Sequence, residues 1–228
     1  DSVFVHMNQE YVILGWKFWK FFRKKIFLWR NHAKGDFFTR LAILFSNKVF
    51  YTSPQSFTAQ FVKAKQMPVG VDTELFRPDL NVTRQFRSIL ALGRISPVKR
   101  IEILIEALLE LKKRGEYFTA TIVGSPISRE DIDYEKKLHK QARLLLETDC
   151  LVFKQAVTHN LTPRIYQSHE IYVNLTLPGS FDKTIIEAMA CGAIVIAFNQ
   201  APQFGLVDRL SLILNWSTDK KMNENIIE

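Results

Sequence analysis

The chain has 228 residues, of which 47% are hydrophobic, and a formal net charge of +8. That length and apolar content bury a core sufficient for one or two domains and exclude a disordered chain. Two distant cysteines, Cys150 and Cys191, exclude a disulfide framework and a zinc site of paired cysteines, and no apolar run approaches the roughly 20 residues that span a bilayer. The start at Asp1 does not read as a signal peptide, so the chain is expected to be soluble or peripheral, and a fragment.

Charge is distributed unevenly. Residues 1 to 65 hold eleven Lys or Arg against three acids, while the remaining twenty basic residues are balanced by twenty acidic ones. The excess coincides with a Trp- and Phe-rich run from Tyr11 to Lys25, in which Lys17, Lys20 and Lys24 fall at helical spacing, flanked by Arg23 and Lys25. A helix of this kind suits an anionic membrane surface. It suits equally a domain helix whose basic stripe is solvated. No nucleic-acid-binding module accompanies the charge.

Strand and helix patterns alternate over most of the chain. Strands are predicted at residues 3–7, 26–30, 48–52, 66–69, 88–92, 118–123, 151–154, 171–174, 193–197 and 210–214, several as unbroken Val, Ile, Leu and Phe, which strands buried on both faces require. Helices are predicted at 100–114, 131–147 and 163–168, the last opening on Pro163. This order predicts an α/β doubly wound architecture with parallel sheets. A boundary falls near residues 68 to 80, where a short strand ends at Gly70 and the chain runs through Asp72 and Phe76 to Pro78. The division is 1–68 and 69–228; the first part, with three or four strands, reads as the back half of a domain.

Two stretches invite chemistry. Residues 88–100 form a strand, then Gly93, Arg94, a turn with Pro97, and Lys99 at the head of a helix. Converging cations and helix-terminal amides at a strand end suit a diphosphate, although a surface loop with two solvated cations would look the same. Residues 179–197 form a small-residue loop from Gly179 that opens a helix carrying Glu187 and runs into a buried strand. Loop amides would meet a phosphate and Glu187, one turn in, both hydroxyls of a ribose; the plain alternative is an ordinary helix-to-strand connection. No Walker motif and no Gly-x-Gly-x-x-Gly occurs. The acids of Asp131 and Asp133 stand at a predicted helix start, where they complement the dipole, and are assigned no metal.

Gly93-Arg94 with Lys99, Val123-Gly124, the stretch from Gly70 through Asp72 to Phe76-Arg77-Pro78, and above all Ile186-Glu187 through Gly192 resemble the family-4 retaining glycosyltransferases of the GT-B fold. That resemblance implies two Rossmann-like domains facing across a cleft, with 1–68 the second half of the acceptor-side domain and 69–228 the nucleotide-sugar donor domain, cut short at its end. It implies that Arg94 and Lys99 bind the donor diphosphate and stabilise the leaving group, with Gly93 beside them, and that Glu187 holds the ribose. The backbone at Phe153, Lys154 and Gln155 would meet the nucleobase, and the amides near Lys183 and Thr184 the phosphate or sugar. His32 resembles a family histidine beside the reacting sugar, though a lone histidine at a strand end is also an ordinary half-buried residue.

The pattern departs from the family at Gly179, where a first glutamate usually stands. Asp182 and Lys183 are near enough to substitute, and Asp182 also reads as the helix N-cap. The implied activity is hexosyl transfer, with retention, from a nucleotide-diphosphate sugar to a glycan or lipid-linked acceptor hydroxyl, with no metal or other cofactor required. The implied setting is glycan or cell-envelope biosynthesis in the cytoplasm, at the inner face of a membrane. Competing readings are a GT-B nucleotide-sugar epimerase, a glycogen-phosphorylase-like enzyme, and a non-catalytic donor-binding or membrane-tethering remnant.

Overall fold

The structure is a computed structural model that describes residues 1–68, 70–176 and 182–197, together with Leu210 and Leu214. It divides into two compact units, residues 1–70 with Asp182, and a second taking in 71–176, 183–197, Leu210 and Leu214. The stretch expected to be a strand at 210–214 is helical at both of its described residues.

The first unit runs β1 (Ser2–His6), α1 (Gln9–Phe21), β2 (Lys25–Trp29), α2 (Phe37–Phe45), β3 (Lys48–Tyr51), a 3-10 turn at Phe57–Gln60 and β4 (Ala64–Gln66). All pairings are parallel and the order is β1-β2-β3-β4. Each βαβ crossover in a sheet that grows in one direction lands its helix on the same face. Val5, Ile26, Leu28 and Val49 therefore meet Val12 of α1 and Ala42 and Ile43 of α2 in one core.

Intervening residues form the other face, where Phe4, Phe27, Trp29 and Phe50 cluster with ring centroids 6.0 to 6.4 Å apart. The burial on both faces expected of several strands in the chain is not found on this one: Phe4 is 54% exposed. The two helix starts are tied together. Asp36 Oδ1 accepts from Thr39 N at 2.7 Å and Asp36 N donates to Thr39 Oγ1 at 3.2 Å, a reciprocal cap. Thr39 Oγ1 also donates to Gln9 Oε1 at 2.6 Å, so the buried amide of α1 is satisfied by the cap of α2.

The basic run differs from its helical reading. α1 ends at Phe21, so Lys24 lies beyond it and pairs instead with Asp1 at 2.6 Å. Lys17 and Lys20 sit over the Trp16 ring, 5.8 and 5.6 Å from its centroid, while Trp16 stacks on Phe45 at 4.1 Å. The outward face of α1 is largely apolar: Tyr11, Leu14, Phe18 and Phe21 are all exposed.

The second unit runs β5 (Gln85–Leu92), α3 (Ile101–Lys113), β6 (Thr119–Val123), α4 (Arg129–Gln141), α5 (Arg143–Glu147), β7 (Leu151–Lys154), α6 (Thr162–Gln167), β8 (His169–Asn174), α7 (Lys183–Ala190) and β9 (Ile194–Ala197). The single helix expected over 131–147 is thus two, broken at Ala142. Its five strands are parallel in the order β7-β6-β5-β8-β9. The chain lays strands outward from β5 in one direction, then returns to its other side, and the helices cover both faces. Ile89 and Ile171 pack with Leu104, Leu108 and Leu138 on one face. Their neighbours Leu90 and Tyr172 pack with Phe76, Tyr166 and Ala188 on the other.

Candidate donor-nucleotide site

Ligands of open α/β sheets bind outside the carboxyl ends of the strands where the order reverses. In the second unit that point lies between β5 and β8. A small pocket there is lined by Leu92, Gly93, Lys99, Tyr172 and Asn174 among others.

Gly93 closes β5 with φ of +143°, a region that side-chain-bearing residues rarely enter. A Cβ there would sit 3.3 Å from Lys99 Cε, so the lysine stem folds back over the glycine. A Cβ on Gly124, at the end of β6, would lie 1.9 Å from the Gly93 carbonyl oxygen. The close approach of the two strand ends calls for glycine at 124, and the positive φ calls for it at 93. Arg94 is exposed. The Asp131 carboxyl is held below its usual range chiefly by the backbone hydrogen bond from Ser128, with the Arg94 charge the smallest of the causes.

Asp131 itself completes the cap of α4: Ser128 Oγ accepts from Asp131 N, while the amides of Ile127 and Ser128 donate to Asp131 Oδ2. The amides expected at the start of α3 are not open to a phosphate. Ile101 N donates to the Tyr134 hydroxyl at 2.8 Å and Glu102 N at 3.4 Å, and that hydroxyl in turn donates to Glu102 Oε2. Burial, and then this hydrogen bond to Glu102, push the Tyr134 pKa up, which keeps the donor proton in place.

On the other side of the switch point, Lys183 and Thr184 form the first turn of α7. Thr184 Oγ1 accepts from Tyr172 OH at 2.7 Å and from Asn174 Nδ2 at 3.0 Å, which pins the helix start to β8. Asp182 directly precedes the helix, and Gly179 lies outside the described residues.

Glu187, one turn on, is 7% exposed. Its Oε1 lies 3.3 Å from His159 Nε2, and its Oε2 accepts from the buried Tyr166 OH at 3.4 Å. Burial, with the Glu187 carboxylate as the next cause, pushes the neighbouring Cys191 thiol up to about 11, so it remains protonated. Arg84 ties the far end of α7 to the end of α6, donating to the carbonyls of Gly192 and Cys191 at 2.6 and 3.0 Å and to that of Gln167 at 3.2 Å.

The segment Phe153 to Gln155 leaves the end of β7. The Phe153 ring is turned toward the helical layer and stacks on His139 at 4.2 Å. The Lys154 carbonyl accepts from Gly124 N at 2.9 Å, and Gln155 Oε1 accepts from Ser125 Oγ at 2.8 Å. The loop is thereby fastened beside Gly124, with Lys154 and Gln155 exposed.

His32 belongs to the first unit. It stands three residues past the end of β2, exposed rather than half-buried, and its Nδ1 accepts from Lys34 N at 3.3 Å. Sequence reasoning missed His159, Tyr166 and Tyr134, and it named Phe76 only as part of the Gly70 to Pro78 stretch, not as the ring that packs on His159. The hydrogen bonds of the first three cross 21 to 33 residues, and no local pattern marks them.

Comparison with known proteins bears on the family and the fold. The chain is 32% identical over 140 residues to D-inositol 3-phosphate glycosyltransferase 2 of Catenulispora acidiphila, a match covering 56% of this chain and 33% of that protein. It is 27% identical over 124 residues to the lipopolysaccharide 1,2-N-acetylglucosaminetransferase of Salmonella typhimurium, covering 53% and 32%. The matched stretch therefore spans about a third of these relatives.

Among solved structures, Anabaena HepE in complex with UDP superposes with a TM-score of 0.74 at 20% identity, covering 96% of this chain and 69% of that one. Sucrose-phosphate synthase from Thermosynechococcus elongatus superposes at 0.66 with 22% identity, covering 85% and 55%. The fold is that of GT-B glycosyltransferases, α/β with parallel sheets. Residues 72–207 match the model for glycosyl transferases group 1, and the chain belongs to that family.

Proposed function

We propose that this chain carries the donor-binding part of a retaining glycosyltransferase that moves a sugar from a nucleotide-diphosphate sugar to an acceptor hydroxyl. The observation that carries this reading is the buried Glu187 carboxylate on α7, in the same unit and at the same strand ends as the Gly93, Arg94 and Lys99 turn. Glu187 accepts from the ribose hydroxyls. Arg94 and Lys99 meet the diphosphate, and the first amides of α7 at Lys183 and Thr184 supply the helix-terminal donors. With the α3 amides engaged by Tyr134, the anion depends on α7 and the two cations.

As the glycosidic bond breaks, charge develops on the departing diphosphate, and these groups are worth most at that moment. The acceptor hydroxyl attacks from the face the leaving group vacates, and positioning carries the remainder. The part His32 would play rests on the family resemblance alone. A glycan or lipid-linked acceptor is proposed on the same basis.

Titration calorimetry of the 228-residue chain with UDP, GDP, ADP and their glucose and N-acetylglucosamine conjugates tests the donor site. One base series is expected to bind, and the absence of binding in all three ends the reading. NMR of the product anomer would decide retention, and an inverted product would refute it.

We also propose that the first unit meets an anionic membrane surface, as a peripheral protein. The supporting observation is the outward apolar face of α1, where Leu14 and Phe21 are each 81% exposed beside Lys17 and Lys20. No described helix is long and apolar enough to cross a membrane. Co-sedimentation with phosphatidylserine vesicles should fall as salt rises; binding that is equal on phosphatidylcholine vesicles, or absent, would remove the proposal.

A further inference from the structure

The loop between β7 and α6 delivers one side chain to Glu187. Residues 155–158 are exposed, and the chain then tightens into a 3-10 turn at His159–Leu161. The turn is held by Leu161 N donating to Thr158 O at 2.9 Å and Thr162 Oγ1 donating to His159 O at 2.8 Å. The His159 ring packs edge-on against Phe76, centroids 5.2 Å apart, and Phe76 is itself buried. Backbone and ring are thus both fixed, with Nε2 aimed at Glu187 Oε1. An ionised carboxylate only accepts, so the ring form that fits carries its proton on Nε2.

We infer that His159 is a positioning residue for ribose recognition, setting the plane of the Glu187 carboxylate together with Tyr166. This deepens the donor-site reading and rests on it. A carboxylate offers about four lone-pair positions, two on each oxygen. Among the described residues, His159 occupies one on Oε1 and Tyr166 one on Oε2, which leaves one on each oxygen, the number that a vicinal diol uses. The terminal torsion of a glutamate is otherwise broad, and an unheld carboxylate would lose freedom each time it bound a diol.

The two partners are unequal. Tyr166 is fully buried and belongs to the core behind the carboxylate, whereas the His159 side chain is 68% exposed and lies on its solvent side. His159 also follows the Phe153 to Gln155 segment by four to six residues. The loop proposed to meet the base therefore ends on the group that orients the ribose ligand.

The test uses the full 228-residue chain and its discrimination between ribose and deoxyribose. Calorimetry compares UDP with 2′-deoxy-UDP, and likewise the GDP and ADP pairs, for wild type, His159→Ala and His159→Gln, with thermal melts of each variant. Wild type should prefer the ribonucleotide by about tenfold or more, the value of one hydrogen bond to a charged group. His159→Ala should reduce that preference to roughly two- to threefold while leaving the deoxynucleotide affinity within a similar factor. His159→Gln, which places an N–H donor at comparable reach, should restore most of it. Equal weakening of both nucleotides in His159→Ala, or an unchanged preference, overturns the inference and leaves the donor site standing. Wild type that binds no nucleoside diphosphate overturns the donor-site reading and the inference with it.

Discussion

The two units are built from the same parts, parallel strands joined by helices, yet they differ in what lies at their strand ends. In the first, the order β1-β2-β3-β4 never reverses, both helices share one face, and an aromatic face with Phe4 remains open. In the second, the order β7-β6-β5-β8-β9 reverses beside β5, helices cover both faces, and the strand ends part around Gly93, Lys99, Tyr172 and Asn174. The direction in which connections run, more than the composition of the strands, decides which unit acquires a crevice.

The comparison breaks first at the cores. Leu108→Ala, at a fully buried site under the second sheet, should cost about 3 kcal/mol, whereas Phe4→Ala on the open face of the first sheet should cost less than about 1 kcal/mol. Chemical denaturation reads both. Equal losses would mean that the open face is covered in solution.

Next in size is the site. Glu187→Ala should weaken nucleoside diphosphate binding by about 2 to 3 kcal/mol, and Arg94→Ala by about 1 to 2 kcal/mol because Arg94 is exposed. Calorimetry with both affinities unchanged would move the ligand away from the switch point.

Tyr134→Phe removes the hydroxyl that accepts from Ile101 N and should cost about 1 kcal/mol in stability. If the same variant binds the diphosphate more tightly, the amides of α3 had been withheld by that hydroxyl.

The smallest effect is in pH. Burial lowers the pKa of His169, which hydrogen-bonds Ile165 O and Thr121 Oγ1 beneath the second sheet. The unfolded chain therefore binds the proton more readily, so stability is full above the ordinary histidine pKa near 6.5 and declines as pH falls below it. His169→Gln should flatten that decline in melts between pH 7 and 5. A slope that persists would assign it to other groups.

Much of this fold was legible in the sequence because buried parallel strands read as unbroken apolar runs, and those at 88–92, 151–154 and 171–174 lie within or on observed strands. The division of faces in the first unit was not legible. Phe4 and Phe27 look as apolar as Val5 and Ile26, and nothing local says which row meets the helices. For the site, Gly93, Lys99 and Glu187 sit on local motifs and could be named. His159 and Tyr166 reach Glu187 only through the tertiary path, as does the packing of Phe76 on His159, and Tyr134 withdraws the α3 amides from 33 residues away. Hydrogen bonds that join distant segments leave no periodic trace.

The close approach of Gly93 and Gly124 has a consequence for anyone reshaping this protein. At Gly124 a side chain would run into the Gly93 carbonyl oxygen, and at Gly93 the positive φ strains any side chain, so these two positions offer no variants to select from. Under the donor-site reading, altered ligand preference must come from residues around them, such as those of the turn that carries Arg94.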